Sequence, residues 1–278
     1  FDEENIVYWM AFQILMGNVD TQNRNVYLYS PLNSDIWYFI AWDNDGCLMR
    51  PEYELRNFSD QNSWEKGISN YWGNILFQRC LKSRSFREKL NDAILDLREY
   101  LNKELTTSKI ESYKNVLKPY LYLMPDAEYE PLTSEQYDQI AASLPDEIEK
   151  NYQLYLESLE TPMPFYIGVP TIDGDKLKFN WDVSYDLDAE DITYSVEVAG
   201  DYLFRDVIYQ NTTLTVPEAE MDLPKAGQYF VRVRATNTSG KTQDAFDYYV
   251  TDEGKYYGMR CFYITEDSTV EEDDYEEG

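Results

Sequence analysis

Asp20, Asn25, Asp43 and Asp45 are the residues of this sequence whose types and spacing suit chemistry. Asp20 and Asn25 stand in D-x-x-x-x-N order within one polar stretch. Asp43 and Asp45 follow in the run Trp42-Asp43-Asn44-Asp45-Gly46. Phosphoryl transfer asks little covalent chemistry of a protein. It needs hard oxygen ligands for Mg²⁺ and one carboxylate beside the attacking hydroxyl. A D-x-x-x-x-N loop followed by a second acid at a strand end supplies that set. The same residues have a plainer reading, in which Asp20 and Asn25 cap a loop and Asp43 to Gly46 is an ordinary turn.

Such a set works only if the chain brings its two halves together. Residues 4–16 read as an amphipathic-to-buried helix, with Ile6, Val7, Met10, Ile14 and Leu15 near helical spacing. Gly17 and Asn18 are natural stop residues. A polar loop runs from Asn18 to Asn25. Strands are then expected at Val26 to Tyr29 and Trp37 to Trp42, joined by the turn-rich SPLNSD of residues 30–35. That hairpin returns Asp43 beside Asn25. If the strand continues to its end in alternation, Asp43 and Asp45 face the same side and reach one cation.

Composition removes several alternatives. The chain has 278 residues, enough for two domains, and no histidine. That excludes Ser-His and Cys-His nucleophile pairs and histidine metal ligands. Cys47, Cys80 and Cys261 are isolated, which disfavours a zinc site or a disulfide scaffold. The formal net charge of −28 opposes binding to nucleic acid and to anionic membranes. No apolar run approaches the roughly 20 residues of a membrane span. The 12 glycines form neither G-x-G-x-x-G nor a Walker-type GK[ST].

The rest of the chain divides by periodicity. From 64 to 160 it reads as helical, with helices expected at 70–82, 86–105, 108–122, 133–142 and 145–159, the last opening on Pro145. Thr161-Pro162-Met163-Pro164 ends that pattern and marks a domain boundary. Beyond it, Leu177, Phe179 and Trp181 alternate, as do Tyr194, Val196 and Val198, and Tyr229, Val231, Val233 and Ala235. Short alternating strands indicate an antiparallel sandwich. Residues 266–278 are strongly acidic and read as a solvated tail.

Two resemblances sharpen this reading. Residues 17–29 (GNVDTQNRNVYLY) and 37–45 (WYFIAWDND), with Asn74 to Phe77 and Phe86 to Lys89, resemble the CotH kinase family of spore-coat-protein-H-like atypical kinases over about residues 1–160. The resemblance implies Mg²⁺ and ATP as cofactors, with Asp20 as catalytic carboxylate and Asn25 and Asp43 as magnesium ligands. Asp45 is then a further ligand or an orienting acid, and Arg24 lies where it could touch phosphate. It further implies phosphorylation of Ser/Thr on protein partners at a surface or spore coat. The family domain has an upstream nucleotide lobe. The chain begins at Phe1, past that lobe, so little activity is expected of it alone. Residues 165–265 resemble a fibronectin type III domain, with Trp181 in the core and Tyr229 in a tyrosine corner.

The expected fold class is therefore α+β: a mostly helical kinase-like C-lobe with a β-hairpin at 1–161, an all-β fibronectin type III-like sandwich at 165–265, and an acidic tail at 266–278. An extracellular or bacterial cell-surface setting follows from the resemblances. The alternative is a non-catalytic surface or spore-coat protein, or a polysaccharide-binding module suggested by the 26 tyrosines.

Overall fold

The computed structural model describes residues 1–22, 24–48, 64–252 and 254–272. It divides into two compact units, Phe1–Met49 with Arg79–Tyr155, and Arg50–Gln78 with Leu156–Gly278. A helical N-terminal region is followed by an antiparallel β region, an α+β chain overall. Among the described residues no helix is long and apolar enough to cross a membrane.

The first unit is organised by α1 (Glu3–Leu15). Asp2 caps it, its Oδ1 accepting the Asn5 N–H at 2.9 Å, and Glu3 and Glu4 suit the positive end of the helix. Ile6, Met10, Ile14 and Leu15 bury one face, and α1 packs on α3 (Arg84–Tyr100) through Phe86, Leu90 and Ile94. The hairpin β1 (Tyr27–Tyr29) and β2 (Tyr38–Ile40) is antiparallel, pairing Leu28 with Phe39. Asn5 holds it: its Nδ2 donates to the Phe39 carbonyl at 3.1 Å and its Oδ1 accepts the Phe39 N–H at 2.6 Å. Phe39 is buried against Trp9.

Three helix boundaries depart from the periodicity. After α2 (Ile75–Lys82), the helix expected over 86–105 splits into α3 and α4 (Lys103–Leu121). Asn102 causes the break, its Oδ1 accepting the Leu105 N–H while its Nδ2 donates to the Glu99 carbonyl. Conversely, the helices expected at 133–142 and 145–159 are one, α5 (Ser134–Glu160), with Pro145 inside it. Ala141, Pro145, Ile148 and Tyr155 form one buried stripe, and its packing offsets the backbone bond that proline forgoes. The helix expected to start at 70 begins only at Ile75, where Asn74 accepts the Leu76 N–H.

The second unit is built on two sheets sharing one core. One sheet orders β3 (Thr171–Asp173), β4 (Lys176–Asn180) and β7 (Glu218–Asp222) as β3-β4-β7. The other uses β5 (Ile192–Ala199), β6 (Val207–Leu214), β8 (Gly227–Asn237), β12 (Met259–Ile264) and β13 (Val270–Glu272) in the order β13-β12-β8-β5-β6. β9 (Thr242–Asp244) adds beside β8, and β10 (Tyr248–Thr251) pairs β11 (Gly254–Tyr257) as a hairpin. Leu177, Phe179, Val196, Val198, Val233 and Phe262 fill the space between the sheets. Trp181 is buried edge-on to Tyr194, and the Tyr229 hydroxyl donates to the Lys225 carbonyl at 2.9 Å, as a tyrosine corner requires.

Two details of this unit were not expected. The acidic terminal run begins with a strand: Val270 packs on the sandwich core, and Arg260 pairs with Glu272 at 2.6 Å. Residues 273–278 lie outside the described residues. Residues 64–78 pack onto the sheets. Trp64 donates its indole N–H to the Phe246 carbonyl at 3.0 Å, and Trp72 lies 5.4 Å from Tyr185. Lys255 and Glu65, both nearly buried, pair at 2.6 Å, with the Lys255 ammonium 5.3 Å from the Trp64 ring.

Candidate functional site

The site begins where α1 stops. Gly17 takes φ +61°, a conformation that glycine adopts without strain, and the chain turns into a short 3-10 turn, Val19–Thr21. Asn18 opens that turn, its Oδ1 accepting the Asp20 N–H at 3.3 Å. Asp20 is thereby held at the surface, and Asn25 donates its Nδ2 to Asp20 Oδ2 at 3.1 Å. Arg24 is exposed in the same loop.

Asp43 and Asp45 arrive by a route that alternation does not describe. β2 ends at Ile40, Asp43 adopts φ +51°, and Asn44–Gly46 form a second 3-10 turn. The expectation of two acids on one face of a strand end is therefore overturned. A left-handed residue followed by a tight turn brings them together instead, close enough for the charge of Asp45 to act on Asp43. The Asp43 carboxyl lies above its usual range, chiefly through the charge of Asp45, then through desolvation and the charge of Asp20. Three carboxylates thus feel one another across this loop pair. Asn25 also has positive φ, +53°. Asn and Asp are the non-glycine residues that best tolerate this region, and such backbone concentrates at functional sites.

Beneath the acids runs an amide chain that sequence reasoning missed. Asn44 Oδ1 accepts from Gln13 Nε2 at 3.1 Å, and Gln13 Oε1 accepts from Asn18 Nδ2 at 3.0 Å. Gln13 is fully buried and Asn18 nearly so. Helix, first loop and second turn are thus tied by side chains whose hydrogen bonds point to one another. The available signal was Gln13 itself, an amide set among apolar residues in the second half of EENIVYWMAFQIL. Gly46 belongs to the same device: a Cβ there would stand 3.0 Å from Asn18 Oδ1. The Cys47 thiol, pushed up to about 11 chiefly by burial, stays protonated at neutral pH.

Among the described residues no three acidic, histidine or cysteine side chains form a ready-made metal cage. The donor chemistry nonetheless fits a hard divalent cation. The carboxylates of Asp20, Asp43 and Asp45 and the Asn25 amide oxygen are hard donors, and the charges of Asp45 and Asp20 raise the Asp43 carboxyl.

No curated protein sequence matches the chain. Among solved structures, surface layer protein SbsC, domains 1–6, is similar at 16% identity over 69% of this chain and 27% of that one, with a TM-score of 0.20. That score is too low to carry a fold. The family profile described as CotH kinase protein matches residues 1–155, more than half of the sequence and the whole of the acid-bearing loops. The chain belongs to the CotH kinase family.

Proposed function

We propose that Asp20, Asn25, Asp43 and Asp45 form the magnesium and phosphoryl-transfer end of an ATP-dependent protein kinase site. The observation that supports this is the convergence of Asp20, Asp43 and Asp45 on one loop pair, with Asn25 hydrogen-bonded to Asp20. In this reading Asp20 orients a Ser/Thr hydroxyl and accepts its proton, held in place by Asn18 and Asn25. Asn25 and Asp43 hold Mg²⁺, with Asp45 as a further oxygen ligand or as the acid that orients Asp43. The cation supplies charge neutralisation for the phosphates of ATP. Arg24, exposed in the loop, contributes a phosphate contact.

The sheet region supports a second part of the reading, a fibronectin type III-like module. Its three-stranded β3-β4-β7 sheet faces the β6-β5-β8-β12 run, with Trp181 in the core and the Tyr229 corner. Such a module serves as spacer or adaptor, consistent with protein substrates at a bacterial surface or spore coat.

The test is Mg²⁺-dependent ATP binding by calorimetry, with phosphotransfer to a protein acceptor, in the full-length protein. Asp43→Ala should weaken cation-dependent nucleotide binding at least about tenfold, as loss of a metal ligand does. If wild type and Asp43→Ala are equally inert in both measurements, the catalytic reading is wrong.

A further inference from the structure

A helix C-terminus leaves carbonyls that must find donors beyond the regular helix ladder. At the end of α1 these belong to Gln13, Ile14, Leu15 and Met16. Two are met locally. The Asn18 N–H donates to the Gln13 carbonyl at 3.0 Å and the Gly17 N–H to the Ile14 carbonyl at 3.1 Å, with Gly17 left-handed at φ +61°. This is the Schellman arrangement. Two are met from a distance. The Leu48 N–H, just past the turn that carries Asp45, donates to the Met16 carbonyl at 2.7 Å. Asn151 of α5 donates its Nδ2 to the Leu15 carbonyl at 3.1 Å, across 136 positions of sequence.

Asn151 stands where an apolar residue would be expected. Ala141, Pro145, Ile148 and Tyr155 make the buried stripe of α5, and helical spacing puts position 151 or 152 next on that face. A half-buried amide costs free energy there unless its hydrogen bonds are made. The same amide lies against Gly17: a Cβ on that residue would stand 2.6 Å from Asn151 Nδ2 and 3.1 Å from its Oδ1. Glycine is thus required at 17 by the left-handed backbone and again by the amide beside it.

We propose that Asn151 is a positioning residue of the acid site, clamping the end of α1 so that the loop bearing Asp20 leaves it in one direction. That role rests on the proposed function of Asp20, whereas the clamp rests on hydrogen bonds alone. Asn18, whose Oδ1 holds the Asp20 N–H, lies three residues beyond the clamped carbonyl. Met16, which receives the chain returning from Asp45, is the next residue after it. Both acid-bearing segments are therefore anchored beside one bond from α5. Gln13 links them through side chains, while Asn151 fixes the backbone from which they hang.

Asn151→Asp keeps the shape of the side chain and removes the donor. Amide exchange should quicken about tenfold at Asn18 and Leu48, as loss of one hydrogen bond allows, and stay unchanged at Leu90 to Ile94 in α3. No quickening at Asn18 and Leu48, or equal quickening along the whole chain, overturns the proposal. Gly17→Ala and Asn151→Ala provide a second route that keeps the aspartate out of the site. Together they should quicken exchange at Asn18 by less than their separate effects combined, because the amide that the new Cβ strikes is gone. Strict additivity overturns the clamp. With Mg²⁺, ATP and a protein acceptor, Asn151→Asp should lower kcat about a hundredfold and leave the acceptor KM within about twofold. Full kcat despite quickened exchange at Asn18 and Leu48 overturns the positioning role. A wild type inert in phosphotransfer sinks the kinase reading instead, and amide exchange then decides the clamp by itself.

Discussion

The acid-bearing loops and the β-sheet region dispose of negative charge in opposite ways. In the sheets, carboxylates are compensated: Asp247 with Arg260 at 2.8 Å, Asp244 with Arg234 at 2.9 Å, Glu197 with Arg232 at 2.6 Å. In the loops, Asp43 and Asp45 press on each other and on Asp20, and the Asp43 carboxyl rises in consequence. The first arrangement is what a fold builds to keep buried charge tolerable. The second gathers like charges at the surface, where nothing in the packing of the fold calls for them. The contrast, more than any single distance, is what the proposed assignment of Asp20, Asp43 and Asp45 rests on.

Breaking a compensated pair should be the most damaging change. Arg260→Ala leaves the Asp247 side chain, only 8% exposed, without its arginine, and should cost the sheet region about 3 kcal/mol in chemical denaturation. Asp43→Asn, by contrast, should leave thermal stability unchanged or raise it while lowering cation-dependent nucleotide binding. Equal losses of stability from the two variants would erase the contrast.

The amide chain should give the next largest effect. Gln13→Leu strands Asn18 Nδ2 and Asn44 Oδ1 and should cost about 2 kcal/mol. It should also weaken nucleotide binding although Gln13 carries no charge. Gly46→Ala, whose Cβ would press on Asn18 Oδ1, should do the same more mildly, at about 1 kcal/mol. Intact nucleotide binding in a folded Gln13→Leu protein would show that the chain does not position the acids.

Acid titration should produce the smallest effect, and its sign is informative. Burial raises the carboxyls of Asp244 and Asp247 above the ordinary value, against the pull of their arginines. The folded state therefore takes up protons before the unfolded one, so stability rises as pH falls through their raised range. Asp201, Glu190, Asp173 and Asp222 are held low, mainly by hydrogen bonds, and their contribution disappears as pH falls through their depressed range. Calorimetry across a pH series should place the melting temperature at a maximum in mild acid. A melting temperature that falls steadily from pH 7 would count against the two raised acids.

Much of this was legible from the residues. Alternation at Tyr194, Val196 and Val198 located β5, and turn chemistry around SPLNSD located the β1–β2 hairpin. What escaped shares one cause: local pattern does not report tertiary satisfaction. Pro145 reads as a helix start, yet its buried stripe carries the helix through it. Leu101 and Leu105 continue a periodic face, yet Asn102 between them caps one helix and ends another. Asp43 and Asp45 pair through a left-handed residue, and no strand periodicity predicts that. Gln13 looks like an interruption until Asn18 and Asn44 are seen on either side of it.

The packing of residues 64–78 has a practical corollary. The family profile ends at residue 155, and a cloning boundary drawn there would seem natural. Such a truncation keeps Trp64, Glu65 and Trp72 but discards Phe246, Lys255, Tyr257 and Tyr185, which cover or pair with them. Two indoles and a carboxylate would be bared at once on a fragment that expression trials would record as insoluble. The heritable unit and the foldable unit of this chain end at different residues.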